Sequence, residues 1–177
     1  LREYTSPAYL MALPKLLTDE DPLVRQAAVR YLEVSDLRTR FQLGTPLLTD
    51  PVRAVRLEAA RVLAPLMRMD LPAAERGRLQ SALNDYRAAQ RVIAERPESH
   101  LNMGLVEMAQ GKATLAREDY LTALRLDAGF VPAYANLADL YRTLGADAEG
   151  EKILRRGLKA DPESADLHHA LGLLHIR

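Results

Sequence analysis

The sequence predicts an all-α, right-handed helical-repeat solenoid. Three observations carry that expectation. Through the second half of the 177-residue chain, similar residues recur every 34 positions: Gly104, Ala138 and Gly172; Met103, Leu137 and Leu171; His100, Tyr134 and His168; Asn102 and Asn136; Gly111 and Gly145. The first third repeats with a period of 31, seen in Leu16-Leu17-Thr18-Asp19 against Leu47-Leu48-Thr49-Asp50 and Val24-Arg25 against Val55-Arg56. Aromatics make up only 5% of residues and Trp is absent, so Ala, Leu and Arg dominate, which favours helix. Periods of this length mark stacked helical hairpins, each too small to bury its own apolar face. Such an array makes a groove, and grooves bind other proteins.

The elements follow in order. Ser6-Pro7 opens a first helix with Tyr9, Leu10, Leu13, Leu16 and Leu17 on one stripe, and Pro14 inside it is expected to kink it. Asp21-Pro22 and Asp50-Pro51 are placed to open the two second helices. Asp caps free N–H groups and Pro fits the first helical position. Val24, Ala28 and Leu32 then share a face at i, i+4 and i+8, and Ala59 and Leu63 repeat it. A further first helix begins near Ser35-Asp36 and breaks at Gly44-Thr45-Pro46. One long helix is predicted from about Pro72 to Glu95, with Asp70, Pro72 and Glu75 favouring its start. No Gly/Ser/Pro-rich linker precedes it, so the two repeat types are expected to stack continuously.

From there the 34-residue register holds. Ala82, Tyr86 and Ala89 are followed by Ala116, Tyr120 and Ala123, then by Gly150, Leu154 and Gly157, as small-large-small positions of successive second helices. First helices are predicted at about 98–110, 131–144 and 165–176. Gly150 and Gly157 cost up to about 1 kcal/mol each in helix propensity, so their helix is expected to be the softest.

Residues 1–70, through the Asp-Pro turn, the Val-Arg pair and the Ala-rich helix that follows, resemble two short HEAT-type repeats. Residues 71–177 resemble tetratricopeptide repeats, about two and a half of them. The stretch from Tyr134 carries the family pattern as Tyr-Ala-Asn-Leu-Ala-Asp-Leu-Tyr, then Gly145, Leu154 and Asp161-Pro162. Glu107 departs from it where Tyr141 keeps the usual large aromatic, and Ala94 and Ala128 stand where Pro162 closes a repeat. The order of repeats, with Arg-Ala-Val-Arg-Leu-Glu-Ala-Ala-Arg at 53–61 and His-His-Ala-Leu-Gly-Leu at 168–173, is also similar to the C-terminal region of some bacterial multihaem c-type cytochromes.

The tetratricopeptide resemblance implies a non-catalytic scaffold for protein–protein interaction, binding a peptide or helix in a concave groove. The groove residues it implies are Leu101, Asn102, Leu105, Met108, Ala135, Asn136, Asp139, Arg142, His169 and Leu173, with Ile176 beyond them. Asn102 and Asn136 would bond a ligand's backbone or, alternatively, a neighbouring helix. Leu101 and Leu105 stand where a carboxylate clamp would want Lys and Asn, which points to an apolar or helical ligand. The cytochrome resemblance implies instead an accessory docking module of a larger redox protein, periplasmic rather than cytoplasmic.

Other classes are disfavoured. Lys plus Arg equals Asp plus Glu at 24 each, against an electrostatic nucleic-acid partner. Without Cys, thiolate metal sites, disulfides and covalent haem attachment are excluded within the chain. No apolar run approaches the roughly 20 residues that span a bilayer. No phosphate loop, nucleophile elbow or metal-spaced His/Glu pair is present, so no cofactor, metal or enzymatic activity is expected. His168, in the place of Tyr134, is read as a packed core residue, and Gly104, Ala138 and Gly172 as points of close helix approach. Arg25 and Arg56 are expected to bond Asp19, Asp21 and Asp50 in a ladder between repeats, worth little if exposed. The chain starts at Leu1 and stops at Arg177 in mid-pattern, which reads as a fragment. Its last helix, 165–177, is expected to leave Leu171, Leu174 and Ile176 uncovered, with Leu167 and Leu173 beside them, and to self-associate.

Overall fold

A computed structural model describes residues 7–176. Ser6 lies outside the described residues, as do the side chains of Tyr9 and Leu10. Ten α-helices follow one another, with three short 3-10 segments and no strand among the described residues. The chain divides into two compact units, one through Ala88 and one from Ala89.

The first unit begins with α1 (Pro7–Leu16), α2 (Pro22–Tyr31), α3 (Leu37–Gly44) and α4 (Arg53–Leu63). Pro14 falls within α1. Asp21 caps α2 as expected: its carboxylate accepts from the Leu23 N–H at 2.8 Å, and Pro22 takes the first helical position. Asp36 caps α3 by accepting from the Thr39 N–H at 3.0 Å. Asp50 departs from the pattern. Its carboxylate accepts from the Val52 N–H at 2.8 Å, but α4 starts only at Arg53, with Val52 at the cap and no side-chain cap bond. Asp50 therefore shapes the turn and does not cap the helix.

The 31-residue face is the core of this unit. Leu32, Val55, Ala59 and Leu63 are fully buried, Ala28 nearly so, and Val24 is half-buried. A leucine buried this way contributes about 1.5–3 kcal/mol. α2 packs on α4, and α1 and α3 pack on α2 and α4 respectively. Helix α3 runs through Gly44 before the chain tightens into a 3-10 segment at Thr45–Thr49. A β-carbon on Gly44 would lie 2.8 Å from Leu63 Cδ2, so this glycine permits a close approach as well as ending a helix.

The repeated arginines tie the copies together. Arg25 donates to both Asp50 oxygens, from Nε at 2.7 Å and from its second terminal nitrogen at 3.0 Å, and also to the Asp19 and Glu20 carbonyls. Arg56 donates to the Asp50 and Pro51 carbonyls. The Arg25–Asp50 pair is not a surface pair: the two side chains are 12% and 5% exposed. Burial pushes the Asp50 carboxyl up, yet Arg25 and the Val52 N–H outweigh it and hold the group below its ordinary value. The matched arginines one face along make a second rung, with Arg30 on Glu58 and Arg61 on Glu33 and Glu58.

Helix α5 (Ala73–Arg91) buries Leu79, Ala82, Leu83 and Tyr86. It is shorter than predicted: Val92–Ala94 turn back on Ala89, Gln90 and Arg91 through i→i−3 bonds instead of continuing the helix. The unit boundary falls within α5.

The second unit continues with α6 (Pro97–Ala109), α7 (Ala113–Leu126), α8 (Val131–Thr143), α9 (Asp147–Ala160) and α10 (Ala165–His175). These match the predicted first and second helices. Gly111 and Gly145, 34 apart, have φ of 79° and 74°, the left-handed conformation that ends a helix most cheaply as glycine. Around both, the following N–H bonds the carbonyl five residues back, Lys112 to Glu107 and Ala146 to Tyr141, each at 2.9 Å.

The core here joins Tyr120, Leu124, Tyr134, Leu137, Leu140, Leu154 and Leu167. Small residues let helices meet across it. A β-carbon on Gly157 would lie 2.8 Å from Leu167 Cδ1 and 2.9 Å from Tyr134 Cγ. On Gly150 it would lie 3.2 Å from Leu174 Cδ1 and 3.3 Å from the Ala138 carbonyl. Helix α9 thus gives up propensity for contact. Gly172 does not follow the pattern: nothing lies within 4 Å of its added carbon.

Two expectations about α10 are corrected. His168 is exposed, not a core residue; Leu167 beside it fills the core at 0% exposure. Leu174 is buried at 6% and Leu171 packs against the core, so the face expected to self-associate is largely inside the unit. Ile176 and Leu173 remain exposed, at 80% and 51%.

The position shared by His100, Tyr134 and His168 still performs one repeated task. His100 Nε2 lies 3.1 Å from the Ala94 carbonyl, the Tyr134 hydroxyl donates to the Ala128 carbonyl at 3.0 Å, and His168 Nε2 lies 2.8 Å from the Pro162 carbonyl. A carbonyl only accepts, so both histidines carry the proton on Nε2. The three carbonyls belong to Ala94, Ala128 and Pro162, which are themselves 34 residues apart.

Candidate functional site

Helices α8 and α10 are both first helices of their hairpins. Tyr134, Leu137, Ala138 and Leu140 bury one side of α8, and Leu167 and Leu174 bury one side of α10. The adjoining faces are left to line a groove of about 400 Å³. On α8 the lining falls at Ala135, Asn136, Asp139 and Arg142; on α10 at Asp166, His169, Ala170 and Leu173. Both runs follow helical spacing, so each lies along one stripe.

Six of the ten sequence-predicted residues meet here: Ala135, Asn136, Asp139, Arg142, His169 and Leu173. The other four lie on α6 and do not line this groove. Leu101 and Met108 are half-buried and pack on the core, and Leu105 is 42% exposed. The Asn102 amide reaches Gln90 Oε1 at 3.4 Å, the helix-bonding alternative rather than an open ligand. Asp166 and Ala170 were not read from the sequence, although they sit three residues before His169 and Leu173 on the same stripe.

The groove's polar groups are partly committed. Asn136 donates its amide to the Pro132 carbonyl at 2.8 Å, which orients the side chain and turns its Oδ1 into the spare acceptor. Asp139 accepts from Arg142 Nε at 3.0 Å and from a terminal guanidinium nitrogen. That pairing pushes the Arg142 guanidinium above its ordinary value. The result is an apolar floor of alanine and leucine, a rim with one organised ion pair, and an acceptor beside it. Such a surface suits backbone and apolar side chains more than a single small charged ligand.

Glu107, 34 residues before Tyr141, is buried and lies 3.5 Å from the Lys112 ammonium. Tyr141 accepts on its hydroxyl from Arg117 Nε at 2.9 Å. His100 meets Asp119 at 3.0 Å through Nδ1, and burial raises the Asp119 carboxyl against the pull of that ring. Among the described residues no group of three or more His, Asp or Glu could hold a metal ion, and no helix is long and apolar enough to cross a membrane.

Fold and groove together define a protein of stacked helical hairpins with an open face on its first helices. A family model described as tetratricopeptide repeat matches residues 107–174. Among solved structures, a thermophilic tetratricopeptide-repeat protein of Thermus thermophilus is similar at a TM-score of 0.53 and 22% identity, over 93% of this chain and 88% of that one. This likeness is one of fold. A structure of an assembly chaperone of RpL4 gives a TM-score of 0.41 at 17% identity, over 94% of this chain and 56% of that one. No curated protein matches the chain. The family match starts at Glu107, so the HEAT-like reading of the first helices rests on their 31-residue repeat alone, and the cytochrome resemblance on the quoted segments alone.

Proposed function

We propose that the chain is a non-catalytic interaction scaffold that takes a peptide or helix of a partner protein in the groove between α8 and α10. Tetratricopeptide repeats mediate protein–protein contacts, and residues 107–174 match that family. The observation that carries the reading is convergence. Six residues chosen from the repeat register lie along one groove of about 400 Å³, with room for a few side chains. Asn136 Oδ1 would accept a ligand N–H, Ala135 and Leu173 would meet its apolar side chains, and the Asp139–Arg142 pair would bond its rim.

The test is selection of binding peptides from a displayed random library, followed by mapping of the best one by amide chemical shifts. The expected result is perturbation concentrated on α8 and α10, and loss of binding on Ala135→Trp, which fills the groove from a half-buried position. Peptides that bind the Trp variant undiminished would defeat the proposal.

A further inference from the structure

A second groove, of about 750 Å³, lies between α7 and α9, the second helices of two successive hairpins. Five cations line it: Arg117 from α7, and Lys152, Arg155, Arg156 and Lys159 from α9. Those on α9 fall at i, i+3, i+4 and i+7, so they make one stripe. The opposite side of α9 is committed to the core through Gly150, Leu154 and Gly157, all buried, so the stripe cannot turn inward. Only two carboxylates, Glu149 and Glu151, share the lining, which leaves an excess of three positive charges. The chain as a whole is neutral, so this is a local asymmetry and not general basicity.

The individual cations differ in what holds them. Arg155 is engaged by Glu151, with Nε at 2.8 Å from the carboxylate. Arg117 donates to the Tyr141 hydroxyl, and Arg156 stands 5.8 Å from the centroid of the Tyr134 ring. Lys152 and Lys159 are exposed and form no ion pair among the described residues. Seven residues of helix separate them, a rise of about 10 Å. Leu121, Ile153 and Tyr141, all half-buried, share the lining with these charges.

We propose that this groove docks an acidic amphipathic helix of a partner protein. Its apolar side would cover Leu121 and Ile153. Carboxylates two turns apart would meet Lys152 and Lys159, whose separation equals an i, i+7 spacing on a second helix lying alongside α9. Complementary charge supplies register and rate, and the apolar strip supplies affinity. A nucleic-acid backbone fits less well. It has nothing with which to cover the half-buried apolar side chains of Leu121 and Ile153.

The experiment uses the whole chain and a fluorescent synthetic helix of about eighteen residues, with Leu along one stripe and Glu flanking it. Gln-for-Glu and Lys-for-Glu versions and a single-stranded oligothymidine are the controls, all read by anisotropy. The Glu peptide should bind and the Gln peptide bind at least about tenfold more weakly. The variant Lys152→Glu/Lys159→Glu should lose about tenfold or more for the Glu peptide and gain affinity for the Lys peptide, with its thermal midpoint unchanged. Asn136→Ala, in the first groove, should leave binding of the Glu peptide unchanged, because Asn136 does not line the second groove. Equal binding of Glu and Gln peptides, or a Glu-peptide affinity indifferent to the double charge reversal, overturns the proposal. Binding lost on Asn136→Ala instead would move the peptide to the α8–α10 groove and leave that site's reading intact. Stripe-dependent binding of the oligonucleotide without the peptide would replace a protein partner with a nucleic acid.

Discussion

Gly104 and Gly172 hold the same place in the 34-residue repeat, yet alanine should act on them in opposite directions. A β-carbon on Gly104 would lie 2.3 Å from Tyr120 Cε1, 2.6 Å from Cδ1 and 3.0 Å from Cζ. Carbon atoms in contact need about 3.5 Å, so the ring would have to retreat by roughly 1 Å. It has little freedom to do so. Tyr120 is 1% exposed and belongs to the core with Ala116, Ala123 and Leu124. Overpacking costs about 1–3 kcal/mol, and a ring held on its edge puts this site in the upper half of that range. Alanine recovers about 1 kcal/mol of helix propensity. Gly104→Ala should therefore destabilise by about 1–2 kcal/mol. On Gly172 nothing lies within 4 Å, so only the propensity gain remains, up to about 1 kcal/mol of stabilisation. Exposed Gly77 in α5, equally open, should behave like Gly172.

Urea unfolding followed by far-UV circular dichroism reads all three variants against the parent. A midpoint for Gly104→Ala at or above the parent's would refute the reasoning, because it would mean that Tyr120 is not clamped against α6. A second comparison isolates the clash. Tyr120→Phe keeps the offending ring carbons and should leave the cost of Gly104→Ala unchanged, whereas Tyr120→Leu should reduce it. The coupling of the two sites in a double-mutant cycle is the quantity to report.

Gly157→Ala should also destabilise, by about 1 kcal/mol net, since its carbon would meet Tyr134 and Leu167; a raised midpoint would show that α9 is merely soft. The first unit should lose stability in acid. Asp50's folded value is depressed, so its contribution is present above the ordinary 3.8 and is lost as pH falls through the lower folded value. Asp50→Asn should flatten that acid limb; an unchanged pH profile would remove the Arg25 pairing from the account. At the alkaline end burial pushes the Tyr86 phenol up to about 12 from 10.0. A raised value means stability intact below 10 and falling between about 10 and about 12, where the unfolded chain ionises first. Tyr86→Phe should weaken that fall, as followed by denaturant midpoints across the range.

The helices were legible because their signals are local. Asp21-Pro22 and Asp36 cap where a short side chain next to an apolar run must cap, and Gly111 and Gly145 end helices where only a left-handed residue can. Asp50-Pro51 misled for a physical reason. The repeat pointed Arg25 at this carboxylate and also gave it the cap; Arg25 and the Val52 N–H both take it, so the same dipeptide shapes a turn and the helix starts later. The groove was legible in part for a related reason. Register places Ala135, Asn136, Asp139 and Arg142 on one stripe of α8, but the groove they line also depends on which neighbouring helix stands open beside them. On α6 the equivalent positions Leu101, Asn102, Leu105 and Met108 do not line it.

A period states that a backbone geometry recurs; it does not state what surrounds it. The set His100, Tyr134 and His168 separates the two. All three reach the carbonyl six residues back, through a ring nitrogen or a hydroxyl, so the exchange of Tyr for His preserves the bond that the repeat needs. Their burial runs from core at Tyr134 to exposed at His168, and identity in the register gave no notice of that. The cations of α9 escaped the sequence reading in the opposite way. Of Lys152, Arg155, Arg156 and Lys159, only the last has a basic counterpart 34 residues earlier, at Arg125; Glu118, Leu121 and Thr122 stand at the other places, so a search for recurrence passes over the stripe. What distinguishes one hairpin from the next is where a particular partner would be read, and by construction it is what the repeat leaves out.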